Sequence, residues 1–153
     1  LKAWKPELLQ RRAISLGIPP GRIEVRPMTL DYIHEYMDMD VALDTFPYTG
    51  GGTTCEAIYM GVPVVTLAGT RHGTRFGLSL LENVGFGELA ANTPEEYVEK
   101  AAALASDGEL LAALHGNLRR MMQNSPVMDG RSYVREVEAM YEEIWQEWLD
   151  GGE

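Results

Sequence analysis

Short apolar runs alternate along this chain with longer stretches in which apolar residues recur every three or four positions. That alternation predicts an α/β domain, a Rossmann-like parallel sheet flanked by helices. Residues 3–16 carry Leu8, Leu9, Ala13 and Leu16 at helical spacing, and Gly17 with the Pro19-Pro20-Gly21 run stops the helix. Residues 22–26 (RIEVR) alternate with period two and predict a strand. Thr29 is placed to N-cap a short helix through Tyr36, with Asp31 supporting its positive end. Residues 41–43 predict a buried strand ending at Asp44, followed by a loop over 45–52 and a helix over about 53–60 closed by Gly61. Residues 62–67 (VPVVTL) are the most strand-like segment. Helices are predicted over about 74–83, 94–105 and 108–123, then Pro126 interrupts before a last helix over 131–149. In that helix Tyr133, Val137, Met140, Tyr141, Ile144 and Trp148 share a face, which predicts an amphipathic helix covering the domain or docking to another part of the polypeptide. No internal repeat or low-complexity linker interrupts the pattern.

Composition adds bounds. At 153 residues, 45% hydrophobic and 24% charged, the chain is expected to form one globular domain over 1–153 with a core that needs neither disulfide nor metal. A net charge of −10 argues against nucleic acid and anionic membrane as partners, since both call for a basic face. The charge is uneven: residues 1–30 hold six Lys/Arg against Glu7 and Glu24, and the acids gather toward the end, seven of them within 136–153. Cys55 stands alone, which fits a reducing, cytoplasmic setting, and neither a signal peptide nor a membrane-spanning run is visible. The first residue is Leu1, so the chain is expected to be a piece of something longer, with part of its active site elsewhere.

The chemistry concentrates in residues 40–66, DVALDTFPYTGGGTTCEAIYMGVPVVT. This is strand, glycine loop, helix and strand, with the loop at the carboxyl end of a strand, where open α/β sheets bind ligands. Gly50, Gly51 and Gly52 allow close backbone approach, and Thr53 and Thr54 start a helix whose free amides and two hydroxyls suit an anion such as phosphate. The same residues also suit a tight turn whose threonines merely cap the helix. The loop is neither a Walker motif nor GxGxxG. Glu56 can accept two ribose hydroxyls or serve as the capping-box partner of Thr53. His, Cys and carboxylates show no metal-ligand spacing, and no metal is expected. His72 and His115 read as structural, and the Met121-Met122 pair with Trp4, Trp145 and Trp148 reads as core or inter-domain packing.

Several blocks in order resemble one family: RIEVRP (22–27), LDTFPY (43–48), GGGTTCEAIYMGVPVVTLAG (50–69), RHGTRFGLSLL (71–81) and NSPVMDGRSY (124–133). They are similar to the nucleotide-sugar-binding, C-terminal half of two-domain GT-B glycosyltransferases. More narrowly, they resemble the protein O-linked N-acetylglucosamine (O-GlcNAc) transferases, including SPINDLY-type and bacterial members fused to tetratricopeptide repeats. The resemblance implies that His34 packs against the uracil ring and that Thr29 lies where the base edge is met. It implies that Gly50, Gly51, Gly52, Thr53 and Thr54 hold the diphosphate and that Glu56 takes the ribose hydroxyls. Arg75 matches a recurring arginine without an assigned role. Gly51 stands where animal members carry a histidine, and Asp31 where they carry a ribose-contacting lysine.

The implied activity is inverting, metal-independent transfer of N-acetylglucosamine from UDP-GlcNAc to protein Ser/Thr hydroxyls. The upstream half of the polypeptide would supply the acceptor side and any catalytic base, so the piece alone is expected to be inactive. The implied partners are a UDP-sugar, an acceptor protein or peptide and that upstream half. Two readings stand beside it: a protein O-fucosyltransferase or N-glycosyltransferase of the same superfamily, and a non-catalytic nucleotide-sugar-binding module.

Overall fold

The computed structural model describes residues 5–151, which form two compact units divided after His34. Trp4 lies outside the described residues.

In the first unit, helix α1 spans Pro6–Ser15, with proline in its first turn, Glu7 near the positive end and Arg12 near the negative end. Its end is a Schellman turn: Gly17 (φ +89°) donates its amide to Ile14 O at 2.9 Å and Ile18 to Ala13 O at 3.1 Å. The predicted strand over 22–26 is not formed. Ile23 is extended (φ −130°, ψ 120°), and Ile23 and Val25 are half-buried between exposed neighbours, so the period-two pattern is real. What is missing is a ladder: these backbone groups pair with no strand among the described residues, and extended backbone without a neighbour is not a strand. The predicted helix through Tyr36 shrinks to α2, Tyr32–Glu35, followed by a 3₁₀ turn at Tyr36–Asp38. The Thr29 hydroxyl accepts the Asp31 amide at 3.2 Å, a local turn that precedes the helix.

The second unit is built on three parallel strands in the order β1 (Ala42–Leu43), β2 (Val64–Leu67) and β3 (Ala90–Ala91). Ala42 sits opposite Val64, and Thr66 opposite Ala90. Helix α3 (Gly52–Tyr59) crosses from β1 to β2, and α4 (Phe76–Val84) from β2 to β3. Helices α5 (Pro94–Ser106), α6 (Gly108–Gln123) and α7 (Gly130–Leu149) follow. β2 is central and buried, its Val64, Val65 and Thr66 covered by α4 and α5, while α3 packs on α6. Ile58, Val62, Leu81, Leu104, Leu114, Leu118 and Met122 complete this core.

One glycine explains part of the GVPVV motif. Gly61 is left-handed (φ +89°), and a Cβ there would lie 2.9 Å from the carbonyl oxygen of His115. Only glycine lets the chain turn from α3 into β2 against the backbone of α6.

β3 was not predicted, because two alanines carry no strand preference. It exists because β2 offers a free edge and because Lys100 Nζ on α5 donates to Glu88 O at 2.6 Å and Ala90 O at 2.7 Å. Thr93 caps α5, accepting the Glu96 amide at 3.1 Å, while Glu96 accepts the Asn92 amide at 2.7 Å. Helix α7 does not cover the domain: none of its residues is buried, and Trp145 and Trp148 stack on its exposed face at 5.0 Å. No described helix is long and apolar enough to cross a membrane.

Leu118→Ala, emptying a site that is 1% exposed, should cost about 2–5 kcal/mol in a denaturant titration. Glu96 is held below its usual 4.5, first by the Lys100 hydrogen bond and then by the Asn92 amide. A lowered folded value gives stability that is complete only above the unfolded-chain value and is lost as pH falls through the folded value. Glu96→Gln should therefore flatten the acid limb of a stability-versus-pH curve.

Candidate functional site

β1 runs into Asp44, whose carboxylate folds beneath the loop that follows. Asp44 Oδ1 accepts the Gly50 amide at 2.7 Å, Oδ2 accepts the Thr66 hydroxyl at 2.7 Å, and the Asp44 carbonyl accepts the Tyr97 hydroxyl at 2.9 Å. Burial, and secondarily the Asp44 charge, push the Tyr97 phenol above its usual value. Across the loop, the Thr45 hydroxyl bonds to Tyr48 O at 2.8 Å and the Thr49 hydroxyl to Gly73 O at 3.1 Å. The Phe46-Pro47 peptide is cis, and the Phe46 ring meets Tyr97 edge-on.

The three glycines divide into two kinds. A Cβ on Gly50 would fall 2.5 Å from the Thr53 hydroxyl and 2.7 Å from that of Thr54, so this position has no room. Gly51 and Gly52 face open space. Helix α3 starts at Gly52, after Gly51 as N-cap, and its first backbone bond runs from Cys55 to Gly51 O at 3.0 Å. The amides of Gly51, Gly52, Thr53 and Thr54 have no acceptor among the described residues. They form the exposed positive end of the helix.

The expected pair of threonine hydroxyls does not converge on one spot. Thr53 is exposed, whereas Thr54 is buried and donates its hydroxyl to Gly50 O at 3.1 Å. Glu56 lies two positions beyond the N3 place of a capping box, because the helix begins earlier than the sequence implied. Its carboxylate is half-buried, with Oε2 3.3 Å from the Tyr36 hydroxyl, which lies equally close to Thr53 O. Cys55, between them, is pushed above its usual value by burial and then by the Glu56 charge, so its thiol stays protonated at neutral pH.

Gly50, Gly51, Gly52, Thr53, Thr54 and Glu56 thus gather at the carboxyl end of β1, beside a cleft of about 360 Å³ bounded in part by Tyr36, Asp44 and Thr53. Arg75 precedes α4, exposed, with Nη1 donating to Gly69 O at 3.1 Å. It belongs to the loop that receives the Thr49 hydroxyl. Thr29 and His34 lie in the first unit and share one neighbour: Asp31 gives its amide to Thr29 and its carboxylate to His34 Nδ1. A larger hollow of about 830 Å³ between α4 and the start of α7 contains none of these residues. Two of its polar groups are engaged within the chain, Asp129 in capping α7 and Ser125 with Met122 O.

Asp44, Tyr36, Thr49 and Tyr97 were missed from sequence. Only Asp44 carried a signal, a carboxylate at the end of a predicted strand six residues before the first glycine.

A parallel sheet flanked by helices, with a glycine loop and an open helix end at the tip of its first strand, is a Rossmann-like arrangement, and it matches the C-terminal half of a GT-B glycosyltransferase. The chain belongs to glycosyl transferase family 41, which matches residues 5–137. It is 45% identical over 139 residues to a probable UDP-N-acetylglucosamine–peptide N-acetylglucosaminyltransferase, SPINDLY, of Solanum lycopersicum, covering 89% of this chain and 15% of that protein. The protein of the same description named SEC, from Arabidopsis thaliana, is 32% identical over 136 residues, 87% of this chain and 14% of its own length. Among solved structures, a mutant of the Thermobaculum terrenum O-GlcNAc transferase superposes with a TM-score of 0.85 at 39% identity, over 94% of this chain and 28% of that one. The chain therefore spans about 15% of the length of the curated relatives it matches.

The packing around Asp44 yields a test. In a free helix Gly→Ala stabilises by about 1 kcal/mol. At Gly77 in α4, however, a Cβ would lie 2.6 Å from Asp44 Oδ2 and in still closer contact with the Thr66 hydroxyl. Overpacking costs about 1–3 kcal/mol and should win, so Gly77→Ala should lower the thermal midpoint. A raised midpoint would show that this contact yields easily.

Proposed function

We propose that this chain is the donor-binding part of a protein glycosyltransferase that moves N-acetylglucosamine from UDP-GlcNAc to Ser or Thr hydroxyls. The observation that carries the reading is the row of unengaged amides from Gly51 to Thr54, one helical turn from the half-buried Glu56 carboxylate, in a family 41 chain. Amides at a helix N-terminus favour an anion, and a sugar diphosphate gains negative charge as its glycosidic bond breaks. The cradle therefore stabilises the leaving group without needing a metal. One turn along, Glu56 is an acceptor-only group suited to the paired hydroxyls of a ribose. His34, fixed by Asp31, is the ring offered to the base, and Thr29 the base-edge neighbour. Arg75 adds a cation on the neighbouring loop. The acceptor hydroxyl, its proton acceptor and the rest of the donor site come from the upstream half of the polypeptide. The named activities of the tomato and Arabidopsis relatives support the choice of UDP-GlcNAc.

The test is calorimetry with UDP on the full-length polypeptide, together with a mass-detected transfer assay on an acceptor peptide using UDP- and GDP-sugars. A hydrogen bond to a charged group is worth about 1.5–3 kcal/mol, so losing even one of the two ribose contacts in Glu56→Ala should weaken UDP binding about ten- to a hundredfold. Unchanged affinity in both Glu56→Ala and His34→Ala would remove the site. Transfer from a GDP-sugar alone would keep the enzyme and replace the donor, and nucleotide binding without any transfer would make the protein a non-catalytic module.

A further inference from the structure

Asp44 is only 8% exposed, and its carboxylate has no cation partner among the described residues. Both oxygens are satisfied instead by neutral donors, the Gly50 amide and the Thr66 hydroxyl, each at 2.7 Å. Burying a charge on such terms is expensive, so the position has a use that offsets the cost. Gly50 shows what that use is. Its amide is held by Asp44 and its carbonyl by the Thr54 hydroxyl, so both ends of one residue are pinned from opposite sides. With the Gly50 amide turned inward, the next four amides are the ones left unengaged at the start of α3. The Asp44 backbone is itself tied to α5 through Tyr97.

We propose that Asp44 is a positioning residue: by holding the Gly50 amide it presets the amide cradle for the donor diphosphate, without touching the ligand. This inference rests on the donor reading above. It separates geometry from charge. The carboxylate lies behind an anion site, so its charge opposes binding while its hydrogen bonds favour it. Asp44→Asn can keep both contacts, its oxygen accepting from Gly50 and its amide donating to Thr66, and it removes the charge. Asp44→Ala loses both contacts.

The experiment measures UDP affinity and thermal midpoint in the full-length polypeptide for wild type, Asp44→Ala and Asp44→Asn. The expected result is a loss of about tenfold or more in UDP affinity for Asp44→Ala, the equivalent of one lost charge-assisted contact. Asp44→Asn should bind UDP as well as wild type or more tightly. A merely structural role would lower the midpoint in Asp44→Ala and leave the affinity of the folded protein unchanged, which would overturn the inference. Equal loss in both variants would also overturn it. Where Asp44→Ala does not fold, residue-resolved amide exchange on wild type decides. Gly50 should be protected without ligand, and Gly51 to Thr53 only after UDP is added; fast exchange at Gly50 overturns the inference. Wild type that binds no UDP sinks the donor reading and this inference together, whereas UDP binding with unaltered affinity in Asp44→Ala sinks only the latter.

Discussion

Strand β2 cannot be exposed, and most of the second unit follows from that constraint. Val64, Val65 and Thr66 are essentially without solvent contact, so each face of the strand must be covered and each edge paired. The edges take β1 and β3, and α4 and α5 pack against the strand. The one polar side chain in the strand, Thr66, then needs a partner in a water-free place. It finds the Asp44 carboxylate across the sheet. The interior thus dictates where β1 ends and how the next loop departs.

That loop is a compromise between a crowded side and an open one. At Gly50 the hydroxyls of Thr53 and Thr54 leave no space for a side chain. At Gly51 and Gly52 nothing stands against the backbone. A glycine triplet reads in sequence as one flexible feature, yet here one member is a packing requirement and two are a surface.

What was legible in the sequence is what local rules determine. Helix α6 was predicted with its observed ends, and α5 and α7 to within a residue, because the caps Thr93, Asp107 and Asp129 sit directly before strongly periodic runs. The β1–α3–β2 unit was legible because glycines, β-branched residues and a motif converge there. β3 was missed and the extended segment at 22–26 misread because a strand is a relation between two segments, and one segment shows only half of it. Asp44 showed in sequence only its place at a strand end, for a related reason: its partners Gly50, Thr66 and Tyr97 are 6, 22 and 53 positions away. Tyr36 and Glu56 are separated by 20.

The contact among Asp44, Thr66 and Gly77 binds three distant positions into one. A larger residue at 77 is admissible only beside a smaller one at 66, and a change at 44 alters what both neighbours can be. Effects of substitution at these sites should depart from additivity, since they share one pocket of volume and one pair of hydrogen bonds. Residues 44, 66 and 77 therefore form one unit of packing, in which a change at one position sets what the other two can hold.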